Sequence, residues 1–201
     1  MLYKKRDIFE NLAIKIALIA SKTRLSPNSW TILAIIPASA TVYFLINQQW
    51  LAAAALFFLT SFIDVIDGSV ARLTGNVTKL GAYLDTIVDR YVEAAIILAL
   101  LFVQLPPLFF PSYIWIGTYL FGSLMTTYAK AAAKEKEIVD KEIKGGILER
   151  AERVVLLFVG ILLAAFNTAY LTYIIALLAI LAHITAGQRI WLAINFRKFK
   201  R

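Results

Sequence analysis

The chain has 201 residues, 60% of them hydrophobic and only 17% charged, with a mean hydropathy of +0.73. A soluble domain of this length cannot hide so much apolar surface, so a bilayer is the expected solvent and a single membrane domain over residues 1–201 the expected organisation. The balance of 21 basic against 13 acidic side chains gives a net charge of +8, and the absence of cysteine excludes both a disulfide framework and a thiolate metal site.

Residues 1–24 read as a juxtamembrane segment. Lys4, Lys5, Arg6 and Lys15 are interleaved with Leu12, Ile14, Ile16, Ala17 and Leu18. That pattern predicts an amphipathic helix lying on the cytoplasmic leaflet, the alternative being a plain basic tail. The apolar run between Lys15 and Ser21 is short, and no cleaved signal peptide is expected.

Beyond it, three stretches carry no charged residue: 25–63, 94–129 and 154–188. A spanning helix needs about 20 apolar residues, so each stretch accommodates two spans and a turn. Ile46–Trp50, Gln104–Ser112 and Phe166–Tyr170 supply the turn residues. The prediction is an all-α bundle over residues 25–196 with six transmembrane helices, near 29–46, 51–73, 81–104, 112–133, 151–167 and 170–194.

Every lysine and arginine falls at one end of these spans, and the three opposite turns have none. Both termini are therefore expected in the cytoplasm, in a multi-pass protein of the cell membrane. Tyr43, Trp50, Tyr113, Trp115, Tyr170 and Tyr173 fit an outer aromatic belt. Charge placed in this way points to anionic lipid headgroups and phosphate substrates, and nucleic acid is not expected as a partner.

The chemistry concentrates between the second and third spans. Asp64 and Asp67 stand at i and i+3 near the cytoplasmic end of one; Asp85 and Asp89 stand at i and i+4 near the start of the next. A short connection makes the two helices antiparallel neighbours, so the four carboxylates can converge. Burying one carboxylate in a bilayer costs several kcal/mol, and four together repel. Cations must sit among them. Carboxylate-only ligands favour Mg²⁺, Mn²⁺ or Ca²⁺, and two such ions on four aspartates suit an in-line phosphoryl displacement. Gly68, Ala71, Gly81 and Ala82 permit close approach of helices or substrate, and Arg72 can hold a phosphate oxygen.

The string Asp64-x2-Asp67-Gly68-x2-Ala71-Arg72-x8-Gly81-x3-Asp85-x3-Asp89 resembles the signature of the CDP-alcohol phosphotransferases at every fixed position. The resemblance implies transfer of the phosphate-bearing alcohol of a CDP-alcohol to a second alcohol, with release of CMP and no covalent enzyme intermediate. It implies Asp64, Asp67, Asp85 and Asp89 as ligands of two Mg²⁺ or Mn²⁺ ions, and Asp89 also as the general base. It places Gly68, Arg72 and Thr78 on the nucleotide, joined by Asn28 and Thr31 from the entry to the first span. A homodimer is implied in the same way.

The second half of the chain is similar to the phosphatidylinositol-phosphate synthases within that family. Tyr128-Ala-Lys130, Gly145-Gly146-Ile-Leu-Glu149-Arg150-Ala-Glu152-Arg153 and Gln188-Arg189 carry the likeness, and Ala132 departs from it where that subfamily often has a basic residue. The implied acceptor is inositol 1-phosphate, gripped by Lys130, Arg153 and Arg189 with support from Arg150, and the implied donor a CDP-activated lipid. A CDP-inositol donor, a glycerol-phosphate or serine acceptor, and a cation transporter are the alternatives; the last does not account for the Gly-x3-Asp-x3-Asp spacing or for Arg72. His183 is read as a bundle residue, and Glu93 as a possible orienting neighbour on the Asp85–Asp89 face.

Overall fold

The computed structural model describes Leu18, Ala20, Thr23 and residues 25–139 and 145–199. The juxtamembrane helix expected before residue 24 lies almost wholly outside these residues. Everything regular among them is helical: α1 (Pro27–Leu33), α2 (Ile35–Ile46), α3 (Trp50–Leu73), α4 (Lys79–Ala99) with a 3-10 turn at Leu100–Phe102, α5 (Ser112–Glu135), α6 (Arg150–Ala164) and α7 (Thr168–Phe199). One isolated bridge, Leu108 with Phe110, is the only β pairing among the described residues.

The first predicted span comprises α1 and α2. Ser26 caps α1 by accepting the Ser29 N–H, and Pro27 follows in the first turn, where its missing donor costs nothing. Pro37 has no N–H to offer the carbonyl of Leu33, so one bond of the helical ladder is missing there, while Ala34 stays helical and the bonds from Ala34 N to Trp30 O and from Ala38 N to Ala34 O continue it. Asn47 ends α2 by donating from Nδ2 to Tyr43 O at 2.8 Å, and Gln48 turns the chain at φ 55°.

Among the described residues, three helices are long and apolar enough to cross a membrane: Pro27–Ile46 (α1 and α2 taken together), Trp50–Leu73 and Thr168–Asn195. The other three predicted spans also form helices, each less membrane-like for a visible reason. Four ionisable residues, Asp85, Asp89, Arg90 and Glu93, interrupt α4, hydroxyl and tyrosine side chains punctuate α5, and α6 has only 15 residues, about 22 Å of rise.

The chain divides into two compact units, residues up to Asn47 with Ala52–Ile96, and Gln48–Leu51 with Ile97–Arg201. In the first, Ala20, Ile66 and Val70 form a small core with Trp30 packed against it. In the second, α7 packs along both α5 and α6, burying Tyr119, Leu157, Ile161, Leu171 and Leu178 completely. Helices gain little from hydrophobicity alone in lipid, so close approach matters more. Gly122 permits it: a Cβ there would stand 3.0 Å from Ala182 Cβ and from the His183 ring. The imidazole uses that space, with Nε2 3.1 Å from Thr118 O and the ring against Phe121.

Polar side chains within the apolar helices mostly satisfy themselves on their own backbone. Thr41, Thr60, Ser61 and Ser69 each donate to the carbonyl four residues earlier, at 2.7–2.9 Å. Thr31 Oγ1 stands 3.3 Å from the equivalent carbonyl, Pro27 O, and its second and shorter contact leads to the site.

Candidate active site

In the first unit the acidic motif occupies the last turns of α3 and the first turns of α4. Helical periodicity sets Asp64 and Asp67 on one side of α3, and the left-handed Gly75 (φ 69°) ends that helix. Thr78 then starts α4, its Oγ1 accepting the Gly81 N–H at 2.9 Å, which brings Asp85 into the second turn.

Asp64, Asp67 and Asp85 each present a carboxylate oxygen, and these oxygens lie within 4.8 Å of one another. Ligand oxygens about 2.1–2.4 Å from an ion stand up to about 4.2–4.8 Å apart across it, so the three carboxylates fit one hard divalent cation with little movement. Asp67 is 4% exposed and accepts a 2.7 Å hydrogen bond from Thr31 Oγ1, which fixes its carboxylate. That bond reaches from α1 to α3, unlike the intrahelical bonds of Thr41, Thr60, Ser61 and Ser69.

Asp89 lies one turn further along α4 and is also buried. Its Oδ2 is 3.9 Å from Arg90 Nη2, while Arg90 Nη1 donates to Glu93 Oε2 at 3.0 Å. Glu93 therefore holds the arginine beside Asp89.

A cavity of about 160 Å³ opens next to the carboxylates. Its wall contains all five residues expected to hold the CDP-alcohol, Asn28, Thr31, Gly68, Arg72 and Thr78, together with Asp67, Gly81 and Asp85. Arg72 is anchored through Nη2 to Ser69 Oγ at 3.1 Å, and its Nη1 would lie 3.4 Å from a Cβ on Gly68. Gly81 is tighter still: a Cβ would meet Thr78 Oγ1 at 2.9 Å and Asn28 Oδ1 at 3.0 Å. Asn76 and Val77 also line the cavity. Like Thr78 they fall in the motif's eight-residue spacer, but the family resemblance assigned them no role.

The second unit assembles the basic residues expected to hold an acceptor phosphate. Arg153 is 1% exposed and Arg189 7%, and both reach one residue, Thr126 of α5. Arg153 Nη1 donates to Thr126 Oγ1 at 3.3 Å, and Arg189 Nη1 donates to Thr126 O at 2.7 Å. Lys130, half-buried, follows Thr126 by one turn on the same face of α5. Arg150 opens α6, half-buried, three residues before Arg153.

The intervening glutamates have a structural part in this arrangement. Glu152 accepts the Glu149 N–H at 2.6 Å, the capping-box bond that starts α6, and Glu149 Oε1 accepts from Gly145 N at 3.1 Å. The loop before α6 is fastened to α7 by Ile147 N on Gln188 Oε1 and Leu148 N on Thr185 Oγ1, both at 3.0 Å, and by Arg189 Nε on Gly145 O at 3.3 Å. Gly146 at φ 129° is required there, since a Cβ would come within 2.5 Å of Thr185 Cγ2.

A family model described as CDP-alcohol phosphatidyltransferase matches residues 24–186. The chain belongs to that family. This CDP-alcohol phosphatidyltransferase is 29% identical to the archaetidylinositol phosphate synthase of Pyrococcus horikoshii, over 95% of each chain. Among solved structures it is similar to the Mycobacterium tuberculosis phosphatidylinositol phosphate synthase with CDP-DAG bound, at TM-score 0.77 and 25% identity over 91% of this chain and 94% of that one. The same enzyme in complex with manganese and citrate gives TM-score 0.78 and 26% identity over 90% and 88%. As a CDP-alcohol phosphatidyltransferase the chain is a membrane enzyme of lipid synthesis, in keeping with its three helices long and apolar enough to cross a membrane among the described residues.

Proposed function

We propose that this CDP-alcohol phosphatidyltransferase transfers the phosphate-bearing lipid moiety of a CDP-activated lipid to a hydroxyl of inositol 1-phosphate and releases CMP. The observation that carries the acceptor assignment is the meeting of two buried arginines, Arg153 and Arg189, on Thr126, one turn from Lys130. Two buried guanidinium groups with an ammonium one helical turn away suit a doubly charged phosphate, which takes charge-assisted hydrogen bonds from all three. The names of the relatives point the same way: inositol phosphate synthases of both archaeal and bacterial lipids.

Donor binding falls to the first unit. Asn28, Thr31, Gly68, Arg72 and Thr78 would enclose the CDP group, in the cavity that they line. Asp64, Asp67, Asp85 and Asp89 would hold two Mg²⁺ or Mn²⁺ ions. Bound there, divalent cations neutralise pyrophosphate charge and stabilise the departing CMP. Asp89 accepts the proton of the acceptor hydroxyl; the hydroxyl oxygen bonds to the β-phosphorus; the bond from that phosphorus to the CMP oxygen breaks. Arg72 holds a phosphate oxygen of the donor, and the acceptor's own phosphate stays on Lys130, Arg153 and Arg189, with Arg150 in support.

The membrane arrangement proposed with this chemistry has six spans, both termini and the active site on the cytoplasmic side, and two chains in a homodimer. The clustering of every lysine and arginine at one end of the predicted spans supports the orientation, and the family resemblance alone supports the homodimer.

A panel of donors and acceptors assayed for CMP tests the reading. CDP-lipid and CDP-inositol are each offered inositol 1-phosphate, inositol, glycerol 3-phosphate and serine, with Mg²⁺ present. CMP should appear with the CDP-lipid and inositol 1-phosphate. Equal or faster release with an acceptor lacking phosphate would overturn the assignment.

A further inference from the structure

We infer that Thr126 is a positioning residue of the acceptor site, a side chain that sets Arg153 in register with Arg189. The inference rests on the inositol 1-phosphate reading and extends it to a residue outside the charged set. Thr126 is fully buried on α5, in a part of the chain where the sequence shows only an uncharged, largely apolar run. Its two oxygens serve different helices: the hydroxyl takes Nη1 of Arg153 from α6, and the carbonyl takes Nη1 of Arg189 from α7.

The hydroxyl has a fixed sense. Thr126 Oγ1 donates its hydrogen to Ser123 O at 2.7 Å, so it offers Arg153 a lone pair and nothing else. A threonine held in this way is an acceptor by construction. The alternative use of that hydrogen, turning outward to a bound ligand, would forfeit the Ser123 bond. Arg189 is held through backbone oxygens, Thr126 O and Gly145 O, and the bond from Arg153 to Thr126 runs through a side chain that substitution can remove. Two like-charged guanidiniums repel at short range, so an acceptor between them governs how closely they can stand before a phosphate arrives. Lys130 adds the third charge one turn along.

The test uses the full chain in detergent, with CDP-lipid, inositol 1-phosphate and Mg²⁺, and measures kcat and both KM values by CMP release. Thr126→Val keeps the shape and removes the oxygen; Thr126→Ser keeps the oxygen. The acceptor KM of Thr126→Val should rise roughly tenfold, the scale of one charge-assisted hydrogen bond, with donor KM held and the value recovered in Thr126→Ser. If both KM values and kcat deteriorate together, or if serine does not restore the acceptor KM, Thr126 is merely structural and the inference fails. Arg153→Ala separates the two levels of the argument. A raised acceptor KM in Arg153→Ala with a normal one in Thr126→Val sinks the positioning role alone. A normal acceptor KM in both variants sinks the acceptor assignment itself. Should the valine variant not fold, Thr126→Cys against Thr126→Ser poses the same question, because sulfur is a weak acceptor; equal acceptor KM values would then refute the role.

Discussion

Replacing Thr31 with valine removes one atom's worth of chemistry from the acidic site and almost nothing from its shape. In the native chain Thr31 Oγ1 donates to Asp67 Oδ2 at 2.7 Å, and Asp67 is 4% exposed. Little water can take the place of that donor. A hydrogen bond to a charged group contributes about 1.5–3 kcal/mol, and outer partners of metal ligands typically change metal affinity about 10–100-fold when lost. The Mg²⁺ concentration giving half-maximal CMP release should therefore rise at least roughly tenfold in Thr31→Val. Thr31→Ser should stay near the wild type. The assay is a Mg²⁺ titration at saturating donor and acceptor, followed by a donor titration at saturating Mg²⁺, since Thr31 also lines the nucleotide cavity. An unchanged Mg²⁺ midpoint, with the protein still folded, would refute the claim that the hydroxyl holds Asp67 ready for a cation.

Asp89→Asn should lower kcat by about two to four orders of magnitude while CDP-lipid binding persists, because the amide cannot accept the acceptor's proton; turnover near the wild-type rate would remove Asp89 from that role. Excess EDTA should silence CMP release and added Mg²⁺ or Mn²⁺ should restore it, and full activity in the chelator would contradict the divalent-cation reading. Gly81→Ala should raise the donor KM severalfold and leave the acceptor KM in place, since its Cβ would press on Thr78 Oγ1 at 2.9 Å and Asn28 Oδ1 at 3.0 Å. Overpacking of this kind costs about 1–3 kcal/mol, and a parallel donor titration of both proteins checks it.

The helices were legible because charge and hydropathy mark them directly. The turn predicted at Ile46–Trp50 is there, and the predicted 51–73 and 112–133 become Trp50–Leu73 and Ser112–Glu135. Two local features escaped. Pro37 sits inside an uncharged run, where it reads as an apolar residue unless its missing donor to Leu33 is followed through. The expected third span to 104 gives way to a 3-10 turn at Leu100–Phe102, a change of hydrogen-bond pattern that hydropathy does not register. In the site, Asn28, Thr31, Gly68, Arg72 and Thr78 were legible as nucleotide contacts only through the family resemblance, and all five line one cavity. Asn76 and Val77 belong to irregular backbone, where position depends on dihedral angles and residue type says little. Thr126 was hidden for another reason: its importance lies in two oxygens that meet partners 27 and 63 residues away. The glutamates of the Glu149–Arg153 string were read with the arginines as one likeness, and the structure divides them between helix capping and the basic cluster.

The bond missing at Pro37 has a mechanical consequence. A fully bonded helix over the 20 residues from Pro27 to Ile46 would be a rigid rod about 30 Å long. Tilting such a rod by about five degrees sweeps its far end through roughly 2.6 Å, enough to disturb packing at the opposite membrane face. With one bond of the ladder missing ahead of Pro37, the seven-residue lever that carries Asn28 and Thr31 is only about 10 Å long. The same tilt then displaces its end by less than about 1 Å. A proline placed there makes the end of the helix that lines the cavity its easiest part to adjust.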